Sequence, residues 1–173
     1  MPKYKKSNDV TEHPLYHNTY KLLSNYRDVV WSLELSVQHV RNSFEIEFGT
    51  SVEDFLDSMY IAGADLSGTA IESHTKSIER SHKMLKLLES AVDLLRSKHK
   101  FGDIYYWVLY YTFLSPQQLS NVESIIDKLQ SHFHNISPRT YYTRRTEAIE
   151  ALGSVLWGYT SKDCKSILEK FSI

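Results

Sequence analysis

A single cysteine, Cys164, occurs in the 173 residues. No intramolecular disulfide can form, and no CxxC or Cys/His finger spacing exists to hold structural zinc. Proline and glycine are scarce, at 4 and 6 residues, which argues against a protein built from turns and short strands. Charge of one sign is not in excess: the formal net charge is -1 with a pI of about 6.7, so any binding of phosphates must use local charge rather than a basic field around the whole molecule. No stretch approaches the roughly 18 uninterrupted apolar residues of a membrane span. The densest candidate, Ile104 to Leu114, is short and rich in tyrosine, and MPKYKKSNDVTEHPLY is not followed by the apolar region of an export signal. These absences lead to the expectation of a cytoplasmic protein without membrane contact. Glycine-rich phosphate loops, HExxH, GxSxG and closely paired catalytic carboxylates are also missing, so neither catalysis nor a cofactor is expected.

What the chain does have is 42% apolar residues, recurring at three- and four-residue spacing rather than in alternation. The expected fold is all-α: a long N-terminal helical hairpin followed by a C-terminal helix-turn-helix bundle. Residues 1–13 carry Lys3, Lys5 and Lys6 without periodicity and read as a flexible basic arm. From Tyr16 the apolar positions Tyr20, Leu23, Tyr26, Val30, Leu33, Val37, Val40 and Phe44 describe one long amphipathic helix to Phe48. Gly49 is placed to end it, and Thr50 or Ser51 to cap a short helix over Val52 to Ile61. After a loop, Thr69 can start a second long helix to about Lys98, with a heptad-like seam of Ile71, Ile78, Leu85, Leu88, Val92 and Leu95, widened by Met84, Leu87 and Ala91. Residues 14–100 are therefore expected to form a hairpin whose surplus apolar width calls for further helices or a second copy, making a homodimer. A break at Lys98 to Gly102, a cap at Asp103 and a stop at Ser115-Pro116 bound the next helix, so a second domain is expected over 101–173.

That domain carries the functional motif. A helix with Val122, Ile125, Ile126 and Leu129 as its packing face is followed by a polar turn through His134 and Asn135. Ser137 then offers a cap and Pro138 occupies the first helical position, where its missing N–H costs nothing. The helix runs to Trp157. Tyr141, Ala148, Ile149, Leu152, Val155, Leu156 and in part Arg145 lie near one face, while Arg139, Tyr142, Thr143 and Thr146 project from another. Arginine can grip guanine with two hydrogen bonds and threonine can meet a thymine methyl, so the second face suits the major groove. Arg144 and Arg145 sit to the side, where phosphate contact is the expectation. His132 and His134 flank Phe133 and point to different sides of any helix, a poor spacing for a metal. They read as polar turn residues.

The pattern Ser137-x-x-Thr140-Tyr141-x-x-Arg144-x-x-x-Ala148-Ile149-x-x-Leu152 resembles the recognition helix of sigma factor region four. The variant with TYY, two arginines, EAI and a terminal LWGY is similar to the ArpU family of phage late-gene regulators, related to RinA-type activators. More loosely, the resemblance extends to the tyrosine-rich helix upstream and to the segments DFLDSMY and SIERSHKML. It implies a sequence-specific transcriptional regulator of prophage or mobile-element genes in a bacterial host, binding double-stranded promoter or operator DNA, with contact to RNA polymerase as a further expectation. By matching position, it assigns groove reading to Arg139, Tyr142, Thr143 and Thr146 with Arg144 or Arg145 toward the backbone, and Ser137 at the helix start is counted with them as a DNA-binding candidate. Glu147 and Glu150 partly offset the arginines. Two other readings compete: a small-terminase-like subunit that recognises phage DNA during packaging, and a helical protein-interaction module that binds no DNA.

Overall fold

The structure is a computed structural model that describes residues 14–63, 65 and 67–158. The expected basic arm and Cys164 lie outside them. The fold is all-α: among the described residues there are α1 (Pro14–Ser24), α2 (Tyr26–Phe48), α3 (Val52–Ile61), α4 (Ala70–Lys98), α5 (Gly102–Leu109), a π-helical turn (Tyr110–Leu114), α6 (Val122–Gln130) and α7 (Pro138–Trp157), with no strand. None of the described helices is long and apolar enough to cross a membrane.

The one long helix expected from Tyr16 is two. Asn25 stands between them: its backbone N–H makes the ordinary i to i−4 bond to the Lys21 carbonyl at 3.2 Å, and its side-chain Nδ2 donates to the same carbonyl at 2.8 Å, the side-chain-to-backbone bonding for which asparagine is suited. At the next three helix ends the signals act as read. Gly49 adopts a left-handed φ of 68° after α2. Ser51 rather than Thr50 caps α3 through the Asp54 N–H at 3.1 Å, and Thr69 caps α4 through the Glu72 N–H at 3.2 Å. Asp103 does not cap α5. The helix begins one residue earlier, after Phe101, which makes no side-chain cap bond, and Asp103 instead pairs with Arg96 at 3.3 Å. Gly102 is required there, because a Cβ would stand 2.3 Å from the Arg96 carbonyl oxygen.

The described residues divide into two compact units: one holds those up to Arg27 and from Leu87 onward, the other is Asp28–Lys86. The expected hairpin of residues 14–100 is thus split between them, and no division falls near residue 100. The reason lies in burial. Leu88, Ala91, Val92 and Leu95 at the end of α4 share a core with Leu23 of α1, Tyr105 and Leu109 of α5, Phe113, and Ala148, Ile149 and Leu152 of α7. A second core in the same unit joins Val108, Ile125, Ile126, Leu129, Ile136 and Tyr141.

Within Asp28–Lys86, Phe44, Phe48 and Phe55 pack their rings together with centroids 4.5 to 5.4 Å apart. Arg41 pairs with Glu53 at 3.1 Å. Phe44 and Leu85 are the buried residues among those described in this unit. Met84 and, just beyond the junction, Leu87, read as widening the α4 seam, are exposed.

Candidate nucleic-acid interface

The expected second helix of the motif, Pro138–Trp157, is α7. It is preceded by α6, whose N-cap Asn121 accepts from the Ser124 N–H at 2.8 Å. Ile125, Ile126 and Leu129 of α6 meet Tyr141 in the second core. The connection between α6 and α7 turns sharply at Asn135, with a φ of 60°. Asparagine tolerates this left-handed conformation better than other residues with a Cβ, so it serves where a glycine would be expected. Ser137 accepts the Thr140 N–H at 3.1 Å and also shares a hydrogen bond with the Thr140 hydroxyl at 2.9 Å. Ser137 therefore acts on the start of α7 as its cap.

Two cores hold α7 from one side. Tyr141 is buried with its hydroxyl 3.1 Å from the Thr112 Oγ1. Ala148, Ile149 and Leu152 are fully enclosed. On its last turns, α7 approaches α1 closely at Gly153, where a Cβ would lie 3.0 Å from the Thr19 hydroxyl oxygen. Trp157 Nε1 donates to that same oxygen at 3.2 Å. Helix α1, which the sequence pattern assigned to an N-terminal hairpin, is in the structure a support for α7.

With that side occupied, positions 139, 142, 143 and 146 form a stripe at spacings of three, four and seven residues. Arg139, Tyr142 and Thr143 are exposed and Thr146 is half-buried. Arg139 and Thr143 make no side-chain hydrogen bond or ion pair among the described residues. Thr146 donates its hydroxyl to the Tyr142 carbonyl at 3.1 Å. The Arg145 guanidinium stands 5.7 Å from the Tyr142 ring centre and 5.8 Å from that of Tyr20 on α1. No acidic residue occurs in the first turn of α7, so the positive end of the helix dipole is not offset there.

Arg144 is in a different environment from its neighbours. Its Nη1 lies 2.8 Å from Glu147 Oε2, and its guanidinium is 4.8 Å from the Phe101 ring centre. The Tyr105 hydroxyl donates to the same Glu147 oxygen at 3.0 Å. Burial, followed by the hydrogen bond and charge of Glu147, pushes the Tyr105 phenol up to about 12. Glu147 thus offsets Arg144 directly and ties α7 to α5. The i, i+3 spacing of Arg144 and Glu147 was the signal for this pair; Tyr105 gave none.

His132 also has a role that residue spacing did not suggest. Its ring stacks on Trp107 at 3.8 Å with an interplanar angle of 17°. Its Nε2 is 2.9 Å from the Tyr111 hydroxyl. The turn before α7 is thereby fixed to α5 and the π-helical turn, while His134 is exposed. Among the described residues no group of His, Cys, Asp and Glu is arranged to hold a metal ion. Comparison with protein-family models, with curated proteins and with solved structures finds no match to this chain.

Proposed function

We propose that this protein is a sequence-specific DNA-binding regulator that places the N-terminal half of α7 in the major groove. The observation that carries the reading is the division of α7 into two faces. Tyr141, Ala148, Ile149 and Leu152 are buried, while Arg139, Tyr142 and Thr143 stand in solvent at the capped, acid-free start of the helix. A helix so held presents its first turns rigidly, and the exposed side chains match the donor and methyl pattern of base edges. Arg145, steadied between two tyrosine rings, is placed beside this stripe for a phosphate. Arg144 is the weaker candidate, because Glu147 already neutralises it. The residue pattern in α7 that resembles sigma region four and the ArpU regulators supports the same reading, and with it promoter DNA and RNA polymerase as partners.

The dimeric form of the proposal rests on α2, where Trp31, Leu35 and Ile46 are 64%, 50% and 87% exposed on one side of the helix. Large apolar residues in such a row favour association with a second copy. Two recognition helices related by twofold symmetry then read half-sites about 10 base pairs apart or a multiple of it.

Titration of duplex DNA from the gene's own upstream region at two salt concentrations tests the reading. Arg139→Ala is expected to cost about 1 to 3 kcal/mol on the preferred sequence and to relax the preference at one base pair. Equal binding of wild type and Arg139→Ala/Tyr142→Ala to all fragments contradicts it.

A further inference from the structure

A cleft of about 240 Å³ opens in the unit that carries α7, away from the exposed stripe of that helix. It is lined by Tyr26 at the start of α2, Leu88, Glu89, Val92 and Asp93 of α4, Tyr106 of α5, and Tyr110 and Leu114 of the π-helical turn. Its chemistry is one-sided. The lining combines three phenol rings and two carboxylates with an apolar floor, and includes no Lys, Arg or His among the described residues. We propose that this cleft binds a small organic cation through its ammonium or guanidinium group.

Two further observations bear on the geometry. The Tyr106 and Tyr110 rings are nearly parallel, with an interplanar angle of 14° and centroids 6.0 Å apart, so they offer neighbouring faces of negative quadrupole on one side of the helix. One face of Tyr106 is already taken by the Arg96 guanidinium, 4.0 Å from its centre, so a ligand would meet the Tyr110 and Tyr26 rings and the remaining edge of Tyr106. The Tyr26 hydroxyl reaches Glu89 Oε1 at 3.4 Å. Burial, then the charge of Glu89, raises the Tyr26 pKa, so that this phenol stays neutral and does not add charge of its own. Asp93 makes no ion pair among the described residues and supplies the counter-charge. Carboxylate, stacked rings and apolar floor together suit an alkylated ammonium or a planar guanidinium better than a metal ion, which needs more oxygen ligands.

The full chain is titrated with choline, with the uncharged analogue in which carbon replaces its quaternary nitrogen, and with agmatine, following the tyrosine ring resonances by NMR. The expected result is saturable binding of at least one cation with a Kd of about 1 mM or tighter, and none of the uncharged analogue. Asp93→Asn, an isosteric change at the cleft edge, is expected to weaken binding about tenfold with an unchanged Tm. Tyr106→Leu should weaken it as well. A blocked arginine tripeptide separates the sources: tighter binding than agmatine points to a side chain of a partner, weaker binding to a free amine. The proposal is overturned by an absence of saturable shifts with every cation, by equal binding of the uncharged analogue, or by an Asp93→Asn variant that binds as wild type does.

Discussion

The two units differ in what their apolar residues do. In the unit containing α5, α6 and α7, residues far apart in the chain enclose one another. Leu23, Leu88, Leu109, Ile149 and Leu152 are each no more than 1% exposed. Asp28–Lys86 contains apolar residues at similar helical spacing, yet Val29, Val30, Trp31, Leu35, Ile46, Phe48, Ile61 and Met84 are all exposed. Its helices have local support instead: the Ser51 and Thr69 caps, i, i+4 pairs between Glu72 and Lys76 and between Glu79 and Lys83, and the three phenylalanine rings. Periodicity therefore predicts that a segment is helical and amphipathic, but not which surface will cover it. Coverage depends on contacts made at long sequence separation.

The sharpest way to break this contrast is truncation on each side of it. Leu152→Ala, in a fully enclosed site, is expected to cost about 2 to 5 kcal/mol in denaturant unfolding. Trp31→Ala is expected to change the stability of the isolated chain by no more than about 0.5 kcal/mol. A large loss for Trp31→Ala that grows with protein concentration would mean that a second copy covers α2, in line with the proposed dimer. An effect between these two is expected at Arg27. Its guanidinium donates to the Ser115 carbonyl at 2.7 Å, the Thr112 carbonyl at 3.2 Å and the Ser115 hydroxyl at 3.2 Å, closing the end of the π-helical turn where backbone acceptors lack helical partners. Arg27→Ala should destabilise by about 1.5 to 3 kcal/mol, and Arg27→Lys, which cannot reproduce the planar fork, should recover only part of it.

A further expected effect is one of pH. The Tyr105 phenol, held at about 12 against an ordinary 10.0, keeps its proton in the folded protein after the unfolded chain has lost it. Its contribution is intact below pH 10 and declines as pH rises toward about 12. Thermal unfolding followed across that window should show a decline in wild type that is reduced in Tyr105→Phe. An equal decline in both would remove the Tyr105–Glu147 link from the account.

Most of what was legible in the sequence was local. The bounds of α3 and α7, the Ser137 cap, the left-handed Gly49 and the buried face of α7 all follow from side chains acting within a turn or two of themselves. The break at Asn25 leaves no mark in the apolar spacing, which continues through it. The docking of α1 on α7 through Thr19, Gly153 and Trp157, and the stacking of His132 on Trp107, leave no trace in spacing at all. They join residues that only the folded chain brings together. Of the candidate site, the exposed stripe was readable from helical geometry. The separate environments of Arg144 and Arg145, one paired with Glu147 and the other set between tyrosine rings, required the neighbouring elements.

The most direct test of the central claim is selection of bound duplexes from a random-sequence DNA pool, with the full chain and with Arg139→Ala in parallel. The account predicts that wild type enriches a defined motif and that Arg139→Ala loses the preference at one base pair of each half-site while retaining the remainder. No enrichment by wild type, or the same motif enriched unchanged by the variant, would contradict the assignment of α7 as the helix that reads DNA.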